Sequence, residues 1–224
     1  CVYGRAGWGW SERARVPRPG HKVARELRRL LVRVGSPGPY FPGGLSLGVL
    51  VPRLYQQAHP RDVVGMVLVD AGHPLEMRQA EFRSFTHAGQ SMLPIMRTMT
   101  ILGIPRLLMS FDKLPPLLAE QEAKVPEPMR PMLRAGWVRT GYVATLADEG
   151  SALIETLEQV RRTGSLGDLL LVVVTAIAPV WWPDMPGQTN PLKIRKTRLD
   201  LQQDFTTPST NNSQRLAERS GHFI

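Results

Sequence analysis

A serine set between two glycines, Gly44-Leu45-Ser46-Leu47-Gly48, is the stretch of this sequence best suited to covalent chemistry. A G-x-S-x-G pattern with a strand before it and a helix after it forms a sharp corner that holds the serine hydroxyl at its tip. Small residues at Gly44 and Gly48 are expected to let the strand and helix backbones approach closely. A serine hydroxyl is a weak nucleophile until a neighbouring base takes its proton and a carboxylate orients that base. Five histidines are available. His21 opens a helical stretch, His59 and His73 precede prolines in turns, and His87 lies in a helix-rich segment. His222 follows a strand candidate in a Ser220-Gly221-His222 loop, where an imidazole can project freely, so it is the preferred base. Serine and glycine together also make ordinary loops, and the neighbouring elements must decide between the two readings.

Those neighbours have the required order. Tyr40-Phe41 opens a short apolar run before the serine. Leu47 to Ala58 reads as a helix and His59-Pro60-Arg61-Asp62 as a break. Val63 to Asp70 then has the composition of a buried strand. Upstream, residues 21–34 form an amphipathic helix with Val23, Leu27, Leu30, Leu31 and Val34 on one face. Cys1-Val2-Tyr3 reads as the end of a strand, and Gly4 to Ser11 as a tight glycine-rich loop. It lacks the G-x-G-x-x-G spacing or Walker lysine of a phosphate cradle. From about 75 to 164, methionines, prolines and short helical patches dominate, with one longer helix expected over Gly141 to Val160. Such an insert reads as a helical cap, and Met-rich surfaces suit variable apolar ligands. Leu169 to Val174 is the strongest strand signal, apolar throughout as in a parallel strand covered on both faces. A loop over Ala178 to Lys193, a short helix over Leu199 to Phe205 and a last strand over Gln214 to Glu218 complete the chain. The expected fold class is α/β: a mostly parallel sheet with flanking helices, its core in 1–75 and 165–224, and a helical cap insertion at 76–164.

Composition narrows the function classes. With 224 residues, 42% of them hydrophobic, the chain can bury a sizeable core. Cys1 is the single cysteine, so no internal disulfide forms, which fits a reducing compartment such as the cytoplasm. No run reaches the ~18–20 apolar residues that cross a bilayer. The net charge of +9 is concentrated in residues 1–33, where nine Arg and Lys face only Glu12 and Glu26. Arg25, Arg28, Arg29 and Arg33 fall largely on the polar side of the predicted helix, and no basic block is interleaved with stacking aromatics. A solvated helix face therefore accounts for the charge better than nucleic-acid binding. Oligomeric state has no signature in the sequence. The chain begins at Cys1 and ends two residues after His222, which reads as a fragment or a processed chain.

Five stretches together resemble bacterial α/β-hydrolase-fold proteins of the serine esterase and lipase type. They are Tyr3 to Ser11, Pro39 to Gly48, Arg53-Leu54-Tyr55, Val67 to Pro74 and Ser220 to Ile224, over roughly 1–75 and 165–224. The resemblance implies a Ser–acid–His triad that hydrolyses an ester, or less often an amide, through an acyl-enzyme, with no metal or organic cofactor. By that likeness Ser46 is the nucleophile, His222 the base, and the backbone N–H of Leu47 one oxyanion donor. The chain order serine, acid, histidine admits Asp70 or Asp184 as the acid. Asp184 follows the strongest strand; Asp70 sits at the tip of its own strand, where α/β sites gather, and is preferred. Gly4, Leu45 and Val49 depart from the family pattern. The His-Gly loop that would supply a second oxyanion donor lies, in the family, upstream of the point where this chain begins. Pro42 is expected to interrupt the strand before Ser46 and Pro52 the helix after it.

The partner implied is a small or medium apolar ester, with neither nucleic acid nor a membrane span. A serine nucleophile also argues against the aspartate-dependent dehalogenases and epoxide hydrolases of the same fold. The alternative is a catalytically impaired or truncated relative that binds a ligand or partner through the cap. A basic nucleic-acid-binding module ranks last.

Overall fold

The structure, a computed structural model, describes residues 1–14, 17–75, 80–177, 191–222 and 224. In chain order its elements are α1 (Gly20–Arg33), β1 (Gly43–Leu45), a 3-10 turn (Ser46–Val49), α2 (Leu50–Ala58), β2 (Gly65–Val69) and α3 (Ala80–Ile101). Next come α4 (Ile104–Ser110), α5 (Pro116–Ala123), α6 (Arg130–Trp137), α7 (Thr140–Ser151) and α8 (Leu153–Arg161). The chain closes with β3 (Leu170–Ala176), α9 (Pro191–Asp204) and β4 (Asn212–Ala217). These elements fall into two compact units, one of residues 1–18 with 85–152 and one of 19–84 with 153–222.

The second unit carries the sheet. Its four strands are all parallel in the order β1-β2-β3-β4, with Leu45 opposite Val69 and Val69 opposite Val174. The order follows the sequence, so every strand is followed by a crossover to its next neighbour, as parallel pairing requires. Leu171, Val173 and Thr175 are fully buried while Val172 and Val174 are half-buried, so the two faces of β3 are covered unequally. The fully covered face packs Met66, Leu68, Leu171 and Val173 into one core with Val23 and Ala24 of α1, Leu50, Leu54 and Tyr55 of α2, and Leu157 and Val160 of α8. Each large apolar side chain removed from water there contributes roughly 1.5–3 kcal/mol. Gly20, at the start of α1, lies so close to α8 that a β-carbon would stand 2.6 Å from the Thr156 methyl. Its N–H donates to Thr156 Oγ1 at 2.9 Å.

The first unit is helical and includes the amino-terminal loop. No strand forms at Cys1-Val2-Tyr3, which carries no regular secondary structure. The glycine-rich loop is tight, with the Gly7 N–H donating to Glu12 O at 2.8 Å and Ser11 Oγ to Gly4 O at 2.8 Å. It is clamped to α7 by Glu149, which accepts from Trp8 Nε1 at 2.8 Å and pairs with Arg5 at 3.0 Å. Gly7 has φ +81° and no room for a β-carbon, which would lie 1.9 Å from Thr145 Oγ1. Gly7 thus serves packing against α7.

The single long helix expected over 141–160 is instead two, α7 and α8, which belong to different units. The short helix expected from Leu199 is a fourteen-residue one starting at Pro191. Among the described residues no single helix is long and apolar enough to cross a membrane.

Candidate active site

The serine corner is built by β1, the 3-10 turn and α2. Leu45 is extended, with φ −106° and ψ 139°, and Ser46 then turns to φ 56° before the chain enters the helix. A positive φ in a residue with a β-carbon costs roughly 1–2 kcal/mol and persists only where neighbours enforce it. Two features enforce it here. The Gly72 N–H donates to Ser46 O at 3.0 Å, tying the corner to the segment after β2. Gly44 lets the 3-10 turn fold back on β1: a β-carbon there would stand 2.6 Å from the Gly48 carbonyl carbon and oxygen. Gly48 itself faces open space, with nothing within 4 Å of its β-carbon position, so only Gly44 provides the close approach expected of both glycines.

Neither proline damages the corner as the sequence suggests. Pro42 precedes β1, and its carbonyl accepts from the Val67 N–H at 3.1 Å, so the strand begins where N–H donors are again available. Pro52 is the third residue of α2, in the first turn, where N–H groups have no intrahelical acceptor in any case. The 3-10 turn over 46–49 moves the start of the α-helix to Leu50 and makes that placement possible.

Asp70 follows β2 with φ 39° and donates its N–H to Val174 O at 2.7 Å. Its carboxyl is completely buried. Oδ1 accepts from the Ala176 N–H at 3.3 Å, and Oδ2 accepts from His222 Nδ1 at 2.6 Å and from Arg198 Nη2 at 2.5 Å. Burial alone raises the carboxyl pKa; the His222 hydrogen bond and the Arg198 charge outweigh it and hold the group below the usual carboxylate range. His222, 8% exposed, stands in the loop after β4. Donation from Nδ1 to Asp70 leaves Nε2 as the basic nitrogen of the neutral ring.

The structure therefore brings Asp70 and His222 together at the carboxyl ends of the parallel strands. Ser46 is one hydrogen bond away through Gly72, two residues after Asp70. Leu47 follows Ser46 in the 3-10 turn, and an N–H this early has no acceptor inside the turn. Asp184 lies outside the described residues, as does the side chain of His87. The remaining histidines are engaged elsewhere. His21 bonds Gln159 at 2.6 Å, and His59 ends α2 against the Tyr55 ring at 5.1 Å. His73 pairs with Asp204 at 3.0 Å. No group of three metal-ligating side chains converges among the described residues.

Two residues around Asp70 escaped the sequence reading. Arg198 is buried against the carboxyl, and Gln202, fully buried, clamps Ala71 by accepting from its N–H at 3.1 Å and donating to its carbonyl at 2.5 Å. Both project from α9, four residues apart and so on one helix face. That spacing is the signal that was present; starting the helix at Leu199 left Arg198 outside it. A separate cavity of about 480 Å³ lies in the helical unit, lined by Ser11, Arg13, Thr100, Arg106, Arg139 and Thr140 among others. Ser46, Asp70 and His222 do not border it.

No family model matches the chain. A stretch of 138 residues is 29% identical to the uncharacterized protein YqjL of Bacillus subtilis, and covers 54% of this chain and 54% of YqjL. The match thus spans about half the length of that relative. Among solved structures, Cfl2 of Burkholderia cenocepacia superposes with a TM-score of 0.66 at 19% identity, over 97% of this chain and 70% of Cfl2. ALR0039 of Nostoc sp. PCC 7120, assigned to the α/β hydrolases, gives 0.64 at 13% identity over 94% of this chain and 70% of its own. The esterase EaEST of Exiguobacterium antarcticum gives 0.57 at 14% identity over 98% and 72%. With the parallel sheet, its flanking helices and these likenesses together, the chain has the α/β-hydrolase fold.

Proposed function

We propose that the chain is a serine hydrolase acting on a small or medium apolar ester. The observation that carries this reading is the buried Asp70–His222 hydrogen bond at 2.6 Å, set beside a serine corner held at positive φ. The structural likeness to an esterase supports the same reaction class. Ser46 Oγ attacks the ester carbonyl carbon and its proton passes to His222 Nε2. Asp70 holds the ring orientation and balances the imidazolium. The carbonyl oxygen, now an oxyanion, accepts a hydrogen bond from the Leu47 N–H. Collapse expels the alcohol, which receives the proton from His222, and leaves an acyl-Ser46. Water then attacks the acyl carbon, again giving its proton to His222, and Ser46 is regenerated with release of the acid.

In this reading the Ser46–His222 hydrogen bond is tightest in the substrate complex, since catalytic hydrogen bonds are often longer before that. The Arg198 charge on the Asp70 oxygen that also serves His222 is what favours the second reading, an impaired relative that binds a ligand without turning it over. Hydrolysis of short-chain p-nitrophenyl esters separates the two. Turnover that falls at least ~100-fold in both Ser46→Ala and His222→Ala supports the hydrolase. Equal background rates in all three proteins overturn it.

A further inference from the structure

The guanidinium of Arg198 is an unusual third party to the Asp70–His222 pair. Its Nη2 lies 2.5 Å from the same Asp70 oxygen, Oδ2, that accepts from His222, 3.4 Å from Asp70 O and 3.4 Å from His222 Nδ1 itself. Arg198 is 7% exposed and Asp70 fully buried, so little water screens the three groups. A carboxylate that hydrogen-bonds only a histidine gives its full charge to the imidazolium formed during serine attack. Here that charge is already matched. The three side chains are neutral together when His222 is neutral, and carry one net positive charge when it takes the serine proton. Two cations within hydrogen-bond distance of one oxygen repel strongly where the effective dielectric is low.

The position of Arg198 is well fixed. It projects from α9 on the face that also carries Gln202, whose amide locks Ala71, the residue after Asp70. The Asp70 segment is therefore held by α9 at two points one helical turn apart. The first point supplies alignment and an opposing charge together; the second supplies alignment alone.

We propose that Arg198 is a positioning residue that also restrains the site: it fixes the Asp70 carboxylate for His222 while withholding part of its charge from the histidine. This rests on the hydrolase reading above. The charge is expected to slow the chemistry of a site in which Asp70 and His222 are otherwise aligned. It also predicts that a substitution which removes the charge but keeps a donor toward Asp70 speeds the chemistry.

The test uses Arg198→Gln, with a neutral donor, and Arg198→Lys, with the charge retained, each alone and combined with Ser46→Ala. Two readouts are taken, ester turnover resolved into kcat and KM, and the proton resonance of His222 Nδ1–H. For Arg198→Gln, kcat is expected to rise on the order of 10–100-fold with KM unchanged, and the resonance to move downfield as Asp70 becomes a better acceptor. Arg198→Lys should stay near the parent in both. A purely structural role would lower kcat in both variants and leave no such split between them. If turnover depends on Ser46 but Arg198→Gln is no faster than the parent, the inference is overturned and the hydrolase reading stands. If no variant shows Ser46-dependent turnover, the hydrolase reading is overturned, and the resonance decides for Arg198. A downfield move supports charge sharing at Asp70, and an unchanged position refutes it.

Discussion

Gly44→Ala and Gly48→Ala, matched changes at the two glycines flanking Ser46, should have opposite effects. At Gly44 an added β-carbon would lie 2.6 Å from the Gly48 carbonyl carbon and oxygen and 2.7 Å from the Val49 nitrogen. That is about 1 Å inside ordinary carbon contact of ~3.5–4.0 Å, and every neighbour is backbone, with no rotamer to give way. Either β1 shifts on β2 or the turn opens. Overpacking of this kind costs roughly 1–3 kcal/mol. Opening the turn also loses the Gly72–Ser46 hydrogen bond, worth ~1 kcal/mol. A total of about 3 kcal/mol, at a slope of ~2–3 kcal/mol per molar urea, lowers the unfolding midpoint by about 1 M. At Gly48 the added methyl meets nothing within 4 Å and the backbone is not left-handed. Alanine there restricts mainly the unfolded chain and should stabilise by roughly 0.4–1 kcal/mol. Urea unfolding followed by far-ultraviolet circular dichroism checks both. Equal midpoints, or a greater loss at Gly48, would show that the corner is not closed by contact between Gly44 and the turn.

Three further outcomes are expected. Asp70→Asn should lower ester turnover by about 10²–10⁴-fold through the wrong imidazole tautomer, far more than Asp184→Asn, and the reverse ranking in steady-state assays would move the acid role to Asp184. The sheet unit should lose stability in two stages on acidification, read as melting temperature against pH. Burial holds the His73 pKa below its ordinary value against the opposing pull of Asp204, so stability falls as pH drops through the unfolded value of ~6.5. The depressed Asp70 carboxyl adds stability that is present above ~4 and lost as pH falls through its lower folded value, and His73→Gln should erase the first stage alone. Arg53 is buried with its pKa pushed down to about 10, bonds Thr163 Oγ1 at 2.6 Å through Nη2, and has no hydrogen-bond partner at Nη1 among the described residues. Arg53→Met, of similar length, should therefore be neutral or stabilising by ~1 kcal/mol, and a loss above that in a thermal melt would contradict it.

Strand–turn–helix order around Ser46, the Val-rich strands ending near Asp70 and beyond Val174, and the amphipathic pattern of Val23 and Leu27 were all legible in the sequence. Each is a local signal: a period of two or 3.6, or a glycine where the backbone must turn. The parts that were not legible depend on contacts distant in sequence. Arg198 lies 128 residues from Asp70, and nothing in the run Lys196-Thr197-Arg198 marks a buried cation. Pro52 looked disruptive because the 3-10 turn that shifts the helix start is set by how Gly44 meets Gly48, a tertiary contact. The break between α7 and α8 at Ala152 does have a local mark, the pair Gly150-Ser151 just before it, but an isolated glycine inside a helical pattern is often tolerated and did not signal an end. Residues 1–3 read as a strand from composition alone, but a strand requires pairing, and the described sheet consists of β1 to β4 without them.

The central claim is that Ser46 is an activated nucleophile served by His222. The most direct measurement is peptide mapping by mass spectrometry after treatment with a fluorophosphonate, which reacts with a serine whose proton is taken by a base. The account predicts one adduct, on the peptide carrying Ser46, that is absent in Ser46→Ala and slowed at least ~100-fold in His222→Ala. An adduct on another serine, or labelling of Ser46 at an equal rate without His222, would contradict it.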